Sequence, residues 1–158
     1  MSNIRILGVD PGQTGGLAIV QGGRLVKGTR MPVVEMRGKK QVDARGVFDW
    51  WGDCLVPFDV AGIEAVHAMP RQGVSSSFQF GRMLGGIEAL VFSVGRPVHY
   101  VTPAAWKRAM GLNSSKQASI DAAKVMFGSA ADDLLKRKAD DGIAEAALIA
   151  EYWRGKQP

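Results

Sequence analysis

The stretch Ile6 to Val20, ILGVDPGQTGGLAIV, sets the narrowest limits on the fold. Two apolar runs rich in β-branched residues, Ile4 to Val9 and Leu17 to Val20, flank a Pro/Gly turn too short to hold a helix. A third run, Arg24 to Arg30, follows the QGG turn, so the chain is predicted to open with three strands in an antiparallel meander. With 158 residues, 46% of them hydrophobic, the chain can bury about two thirds of its unfolded surface. One globular domain over residues 1–158 is expected.

Downstream the period changes. Arg37 to Gln41, RGKKQ, reads as a basic polar loop, and Val42 to Leu55 as a helix with Val47, Trp50, Trp51, Cys54 and Leu55 at helical spacing. Val60 to Val66 reads as a fully buried strand, Ser75 to Val94 as a long helix, and PVHYV as a fifth strand. TPAAWKRAM carries a Thr cap with Pro at the first helical position; SSKQASIDAAKVMFG is Ser-capped with a Gly stop; DDGIAEAALIAEYW is the last helix. The fold class expected is α/β, a mixed five-stranded sheet with helices on both faces. In such sheets sites gather where strands end.

Acids fall at those ends. Asp10 closes the first strand and Glu64 lies at the end of the fourth, each in sequence too apolar to hold an unpaired charge cheaply. Asp141 and Glu145 occupy the first turns of the last helix, about 40° apart on the helical wheel, so their carboxylates point the same way. Converging carboxylates raise one another's pKa and destabilise a fold unless positive charge sits between them. A hard divalent cation resolves the conflict. Mg²⁺ takes oxygen ligands and often works as a pair about 3.5 to 4 Å apart, one ion activating water and the other stabilising the leaving oxygen of a phosphodiester. Asp10 would be the central ligand, with Pro11 and Gly12 turning the chain and the small residues of GQTGG leaving room for metal and phosphate backbone.

Each acid also has a plainer reading. Asp10 before Pro-Gly suits an ordinary turn, Glu64 a structural salt bridge, and Asp140 and Asp141 a helix cap and a favourable dipole charge. Asp140 lies about 140° from Glu145 and takes the capping role; a shift of one residue would make it the metal ligand in place of Asp141.

Composition excludes some classes. The single Cys54 forbids an intrachain disulfide and a Cys-rich zinc site and fits ordinary packing. Nothing reaches the roughly 18 consecutive apolar residues of a membrane span, and MSNIRILGVD places an acid where a signal peptide keeps its apolar run. No membrane association and a cytoplasmic location are expected. Twenty Lys and Arg against 15 Asp and Glu, a net charge of +5, favour polyanionic partners.

The spacing of GVDPGQTGGLAIV, VAGIEAVHAMPRQGVSSSFQFGRMLGGIEALV, VHYVTPAAWKRAMGL with SSKQASIDAAKVMFG, and ADDGIAEAALIAEY resembles the RuvC family of Holliday junction resolvases, particularly its phage and plastid-type members. The resemblance runs across nearly the whole chain. It implies a ribonuclease H-like fold, a homodimer with two active sites, and Mg²⁺-dependent hydrolysis, two ions per site, that nicks two strands of a four-way DNA junction symmetrically; Mn²⁺ can substitute. By motif position Asp10 would be the first catalytic acid, Glu64 the second, and Asp141 with Glu145 the final pair. Two departures stand out. Many bacterial members space the last pair three apart, whereas here it is four, and the aromatic that follows their second acid is replaced by His67. His67 either stacks on or hydrogen-bonds to DNA, or is a surface loop histidine without a role.

Basic and polar positions sort by place. Arg71 and Gln72, in the loop after Glu64, would reach a phosphate beside the scissile one, with Arg82 in support. Lys107 follows TPAAW and Lys116 opens the next helix, and the resemblance assigns both to contacts near the active site. Arg37, Lys39 and Lys40 form either a separate patch along a DNA arm or a hairpin tip. Phe78, Phe80 and Phe92 fit helix packing, while Phe78 to Leu90, with GRMLGG, would alternatively line a dimer interface, as the corresponding helix does in the resembled family. The leading expectation is a structure-selective DNA endonuclease. Alternatives are a broader flap or fork nuclease, a non-catalytic junction binder, or an actin-like ATPase, whose phosphate loop resembles DPGQTGG but whose two-lobed cleft needs a longer chain.

Overall fold

The computed structural model describes residues 3–52 and 56–157. In chain order the elements are β1 (Arg5–Asp10), β2 (Gly16–Gln21), β3 (Arg24–Arg30), β4 (Val33–Met36), β5 (Lys39–Val42), α1 (Ala44–Trp51), β6 (Val60–Glu64), α2 (Val74–Ser93), β7 (Val98–Val101), α3 (Pro103–Ala109), α4 (Lys116–Phe127), α5 (Ser129–Leu134), a 3₁₀ turn (Lys138–Asp140) and α6 (Asp141–Arg154). The main sheet has five strands in the order β3-β2-β1-β6-β7. The expected meander is present: β1 pairs antiparallel with β2, and β2 with β3. β6 runs parallel to β1, and β7 parallel to β6, so the sheet is mixed.

Each face of the sheet carries helices. On one, Leu7, Val9, Leu17, Ile19 and Ile63 pack with Val47 and Trp51 of α1 and with Met83, Ile87 and Val91 of α2. On the other, Ile6, Ala18, Val20 and Val60 meet α6, with Trp106, Ile120 and Ala131 from α3, α4 and α5 behind it. The alternation along β1 follows the strand period of two.

Helix α6 lies unusually close to the sheet because both surfaces lack side-chain bulk. A Cβ on Gly8 would sit 1.8 Å from the carbonyl oxygen of Ala146, and one on Gly142 would sit 2.4 Å from the carbonyl carbon of Gly15. Ala144, Ala146, Ala147 and Ala150 are fully buried in that contact. The room expected beside Asp10 for metal and phosphate at Gly15 and Gly16 is therefore filled by the first turn of α6. Gly12, at φ 110°, makes the sharp turn expected of it.

Several predicted boundaries move. RGKKQ is not a loop: Lys39, Lys40 and Gln41 form β5, paired with β4 in a second, two-stranded sheet around a turn where Arg37 has φ 52°. The Lys40 carbonyl accepts a hydrogen bond from Gln79 Nε2 on α2, which ties this hairpin down. The expected Val42–Leu55 helix is shorter, since Val42 belongs to β5; Cys54 and Leu55 lie outside the described residues. β6 stops at Glu64, two residues before Val66. Helix α5 was not anticipated. Phe78 and Phe92, expected to pack, are 68% and 53% exposed, because α2 buries only the face that carries Met83, Ile87 and Val91. Trp51 enters the core while Trp50 covers its edge, as adjacent helical positions must diverge. Among the described residues, no helix is long and apolar enough to cross a membrane.

Candidate active site at the carboxyl ends of β1 and β6

The strand register brings the first two acids together. Val9 pairs with Ile63 across the parallel β1–β6 ladder, so Asp10 and Glu64 are the next residues of neighbouring strands, about 4.8 Å apart in backbone spacing. Val9 and Ile63 face the α1–α2 side. Asp10 and Glu64 therefore face the α6 side, where Gly8 and Gly62, two residues earlier, abut Ala146 and Trp153. Asp141 and Glu145, one turn apart at the start of α6, come down onto the same spot.

The electrostatics agree with this placement. Burial, and then the charges of Glu64, Glu145 and Asp141, push the Asp10 carboxyl well above its ordinary value, opposed by Lys116. Glu64, 7% exposed, is also raised, first by burial and then by Glu145, against a lowering from the Trp106 hydrogen bond and from Lys107. The charges of Glu64, Asp141 and Glu145 thus all bear on Asp10 at this sheet edge.

Cations and donors from α3 and α4 answer them. Trp106 Nε1 donates to Glu64 Oε1 at 2.8 Å, and Ser119 Oγ donates to Glu145 Oε1 at 3.0 Å. Lys107 Nζ lies 3.0 Å from Glu145 Oε1, and Lys116 Nζ 2.7 Å from Asp141 Oδ2. The Asp141 hydrogen bond, together with the charges of Asp141, Glu145 and Asp10, raises Lys116 above its ordinary value against a lowering by partial burial. Lys116 and Ser119 are three apart on α4, and Asp141 and Glu145 four apart on α6, so two helix faces meet in register. Both helices begin where the sequence signals say: Thr102 Oγ1 caps α3, and Ser115 Oγ caps α4.

Asp140 stands apart from this group. Although it occupies the cap position of α6, its side chain makes no cap hydrogen bond. It accepts instead from Arg30 Nε at 2.7 Å and from the Arg137 backbone N–H at 2.8 Å. Burial opposes its ionisation, yet those two partners hold its carboxyl below the usual range. The expected capping role is therefore replaced by an ion pair that joins β3 to the turn before α6. Committed to Arg30, Asp140 leaves the inward position to Asp141.

The remaining sequence-predicted residues surround the carboxylates unevenly. A cavity of about 310 Å³ is lined by Gln13, Lys39, Gln72, Gln79 and Phe80 among others, which puts the β4–β5 hairpin and the loop after Glu64 on one rim. A second, of about 280 Å³, is lined by His67, Met69, Gln72, Phe80 and Pro103. Gln72 Oε1 accepts from the Met69 N–H, so this side chain holds its own loop. Arg71 is exposed with φ 67°, and Arg37 and Lys40 are exposed on the hairpin. Arg82 is exposed on α2 with its guanidinium 5.9 Å from the Phe78 ring centre. Sequence reasoning missed Trp106, Ser119 and Arg30. The helical spacing Lys116–Ser119 was a usable signal, whereas Arg30 had none.

The donor set can be tested against a hard dication. Among the described residues no group of three or more His, Cys, Asp or Glu side chains stands in metal-holding geometry; Glu145 and Asp141 are turned to the two ammonium groups. The chemistry nonetheless fits: only oxygen is offered, four carboxylates face two lysines, and Asp10 is strained by its neighbours' charge.

No protein-family model and no curated protein matches the sequence. Solved structures do. A Thermus thermophilus RuvC, solved in complex with Holliday junction substrate, matches with TM-score 0.59 and 20% identity over 93% of this chain and 90% of that one. A second Thermus thermophilus RuvC structure gives TM-score 0.59 and 20% identity over 97% of each chain. The fowlpox virus Holliday junction resolvase gives 0.58 and 17% over 97% of this chain and 99% of that one. The chain has the RuvC-type, ribonuclease H-like α/β fold.

Proposed function

We propose that this chain is a divalent-metal-dependent, structure-selective DNA endonuclease that resolves four-way junctions by paired nicks. The observation that carries the reading is the meeting of Asp10, Glu64, Asp141 and Glu145, from two strand ends and one helix, around a position where each raises the cost of ionising Asp10. Its support is the fold shared with junction resolvases, one of them solved on its junction substrate.

In this reading those four carboxylates hold two Mg²⁺, with Mn²⁺ as a substitute. The ions supply an activated water and a stabilised leaving oxygen for phosphodiester hydrolysis. The protein's own part is positional. The β1–β6 register sets Asp10 beside Glu64, Trp106 orients Glu64, and Ser119 orients Glu145. Lys107 and Lys116, now paired with Glu145 and Asp141, would be free to contact the phosphate backbone if those carboxylates held the ions. Arg71, Gln72, His67, Lys39, Lys40 and Arg37 extend the contact along the strand and one arm, and Arg82 does so from α2.

The chain acts as a homodimer in this reading, since two nicks need two sites. An exposed stripe along α2, Val74, Phe78, Gly81, Gly85, Ala89 and Phe92, repeats every three to four residues and offers an apolar face with little side-chain bulk at its centre.

The test is cleavage of a synthetic four-way junction in Mg²⁺, beside flaps, forks and linear duplex at matched salt. Asp10→Asn should lower the rate by about a thousandfold or more while leaving junction binding within about twofold. Cleavage by that variant at the wild-type rate would refute the metal role. Equal cleavage of flaps and forks would broaden the substrate class.

A further inference from the structure

A cleft of about 450 Å³ opens beside the carboxylates, lined by Gln13, Thr14, Arg30, Lys116, Lys138 and Asp141. Its walls come from four parts of the chain: the turn after β1, the end of β3, the start of α4, and the turn that leads into α6 with its first residue. It shares Lys116 and Asp141 with the carboxylate cluster. Whatever occupies the cleft therefore lies next to whatever occupies the cluster.

Its charges are unevenly committed. Arg30 is held by Asp140 at 2.7 Å and Lys116 by Asp141 at 2.7 Å. Lys138 is exposed and makes no ion pair among the described residues. Gln13 and Thr14 are exposed on the facing wall, adding an amide and a hydroxyl. An exposed ammonium outside any ion pair among the described residues, an ion-paired guanidinium and neutral donors around one cleft suit a singly charged phosphodiester, whose oxygens accept from all three. A carboxylate ligand fits less well, because Asp141 already supplies one at the inner end.

We propose that this cleft is a subsite for a phosphodiester flanking the scissile one on the cleaved strand, with Lys138 as its principal charge contact and Gln13 and Thr14 as neutral donors. The inference rests on the endonuclease reading and adds a residue group to it. Arg30 lines the same cleft and is held there by Asp140.

The experiment uses a four-way junction carrying one uncharged methylphosphonate linkage, moved singly through the three linkages on each side of the scissile one. Binding is read in Ca²⁺, and single-turnover cleavage in Mg²⁺. For the wild-type protein, one such linkage should weaken binding about tenfold, the cost of one charge-assisted contact. Lys138→Ala should weaken binding to the fully charged junction by a similar factor, flatten the salt dependence by about one counterion, and lose all further sensitivity to that linkage. Arg45→Ala, at another exposed cation, paired with Asp49 on α1, should change none of these. Unchanged melting of Lys138→Ala confirms that it folds. Overturning results are a wild type indifferent to every flanking linkage, or a Lys138→Ala variant that stays as sensitive as wild type. Failure of wild type to cleave or bind the unmodified junction would instead remove the endonuclease reading, and the subsite with it.

Discussion

Asp10 is buried against the charges of three other acids, and the cost has a sign that can be measured. Its carboxyl and that of Glu64 sit above their ordinary values, so the folded protein binds protons there that the unfolded chain releases. By linkage, stability falls as pH rises from about 4, the unfolded value, through the raised native values. Asp59 and Asp140, whose carboxyls are held low despite burial, act oppositely and only below that range: their contribution is present above about 4 and is lost on acidification. Metal-free Asp10→Asn should therefore melt higher than wild type at pH 7, by roughly 2–8 °C for each kcal/mol released, and the gain should shrink toward pH 5. Melting curves in chelator, with and without added Mg²⁺, check this; the ion should stabilise wild type and not the variant. Trp106→Phe keeps the buried ring but leaves Glu64 Oε1 without its donor. A loss of about 1–3 kcal/mol is expected in chemical denaturation, together with a cleavage profile shifted to higher pH as the Glu64 carboxyl rises further.

Helix α6 is the element on which the site depends. Its first turn presents Asp141 and Glu145 only because Gly142 lets the helix backbone touch Gly15 and Gly16. Helix propensity alone says that Gly142→Ala should stabilise by up to about 1 kcal/mol. Packing says the reverse, since the added carbon would lie 2.4 Å from backbone that has no flexible end to yield. Destabilisation of about 1–3 kcal/mol or more is expected, with cleavage lost beyond what stability explains, because the acids shift with the helix. Urea melts and cleavage of the same sample decide between the two signs. The Arg30–Asp140 pair then fixes the approach of the chain into α6 from the far side.

At the scale of the whole molecule, the unpartnered face of α2 and the net charge of +5 make separate demands. Phe78 is 68% exposed, so Phe78→Glu should cost little in folding. In sedimentation it should convert a dimer of wild type into a monomer and leave nicks unpaired on the junction. A wild type that sediments as a monomer at micromolar concentration would count against the dimer. Junction affinity should fall steeply with salt, as phosphate-dominated binding requires.

Much of this was legible locally. The opening meander, the capped starts of α3 and α4, and the positions of Asp10, Glu64, Asp141 and Glu145 follow from period, turn chemistry and the cost of placing acids in apolar runs. The β4–β5 hairpin was legible only as one of two readings of Arg37, Lys39 and Lys40, and its strand pairing not at all, because RGKKQ is polar on both faces and pairs through backbone, anchored by Gln79 from a distant helix. The exposure of Phe78 and Phe92 was hidden for a related reason: a helix with apolar residues on more than one face does not say which face is covered. The sequence by itself determined which residues can be strands, caps and buried acids, since those depend on neighbours within a few positions. Only the tertiary structure decided that Asp140 turns to Arg30 while Asp141 turns inward, and that Trp106 and Ser119 reach the carboxylates. Those choices depend on the register of β1 against β6 and on how closely α6 can approach the sheet, and both are set by contacts between residues far apart in the chain.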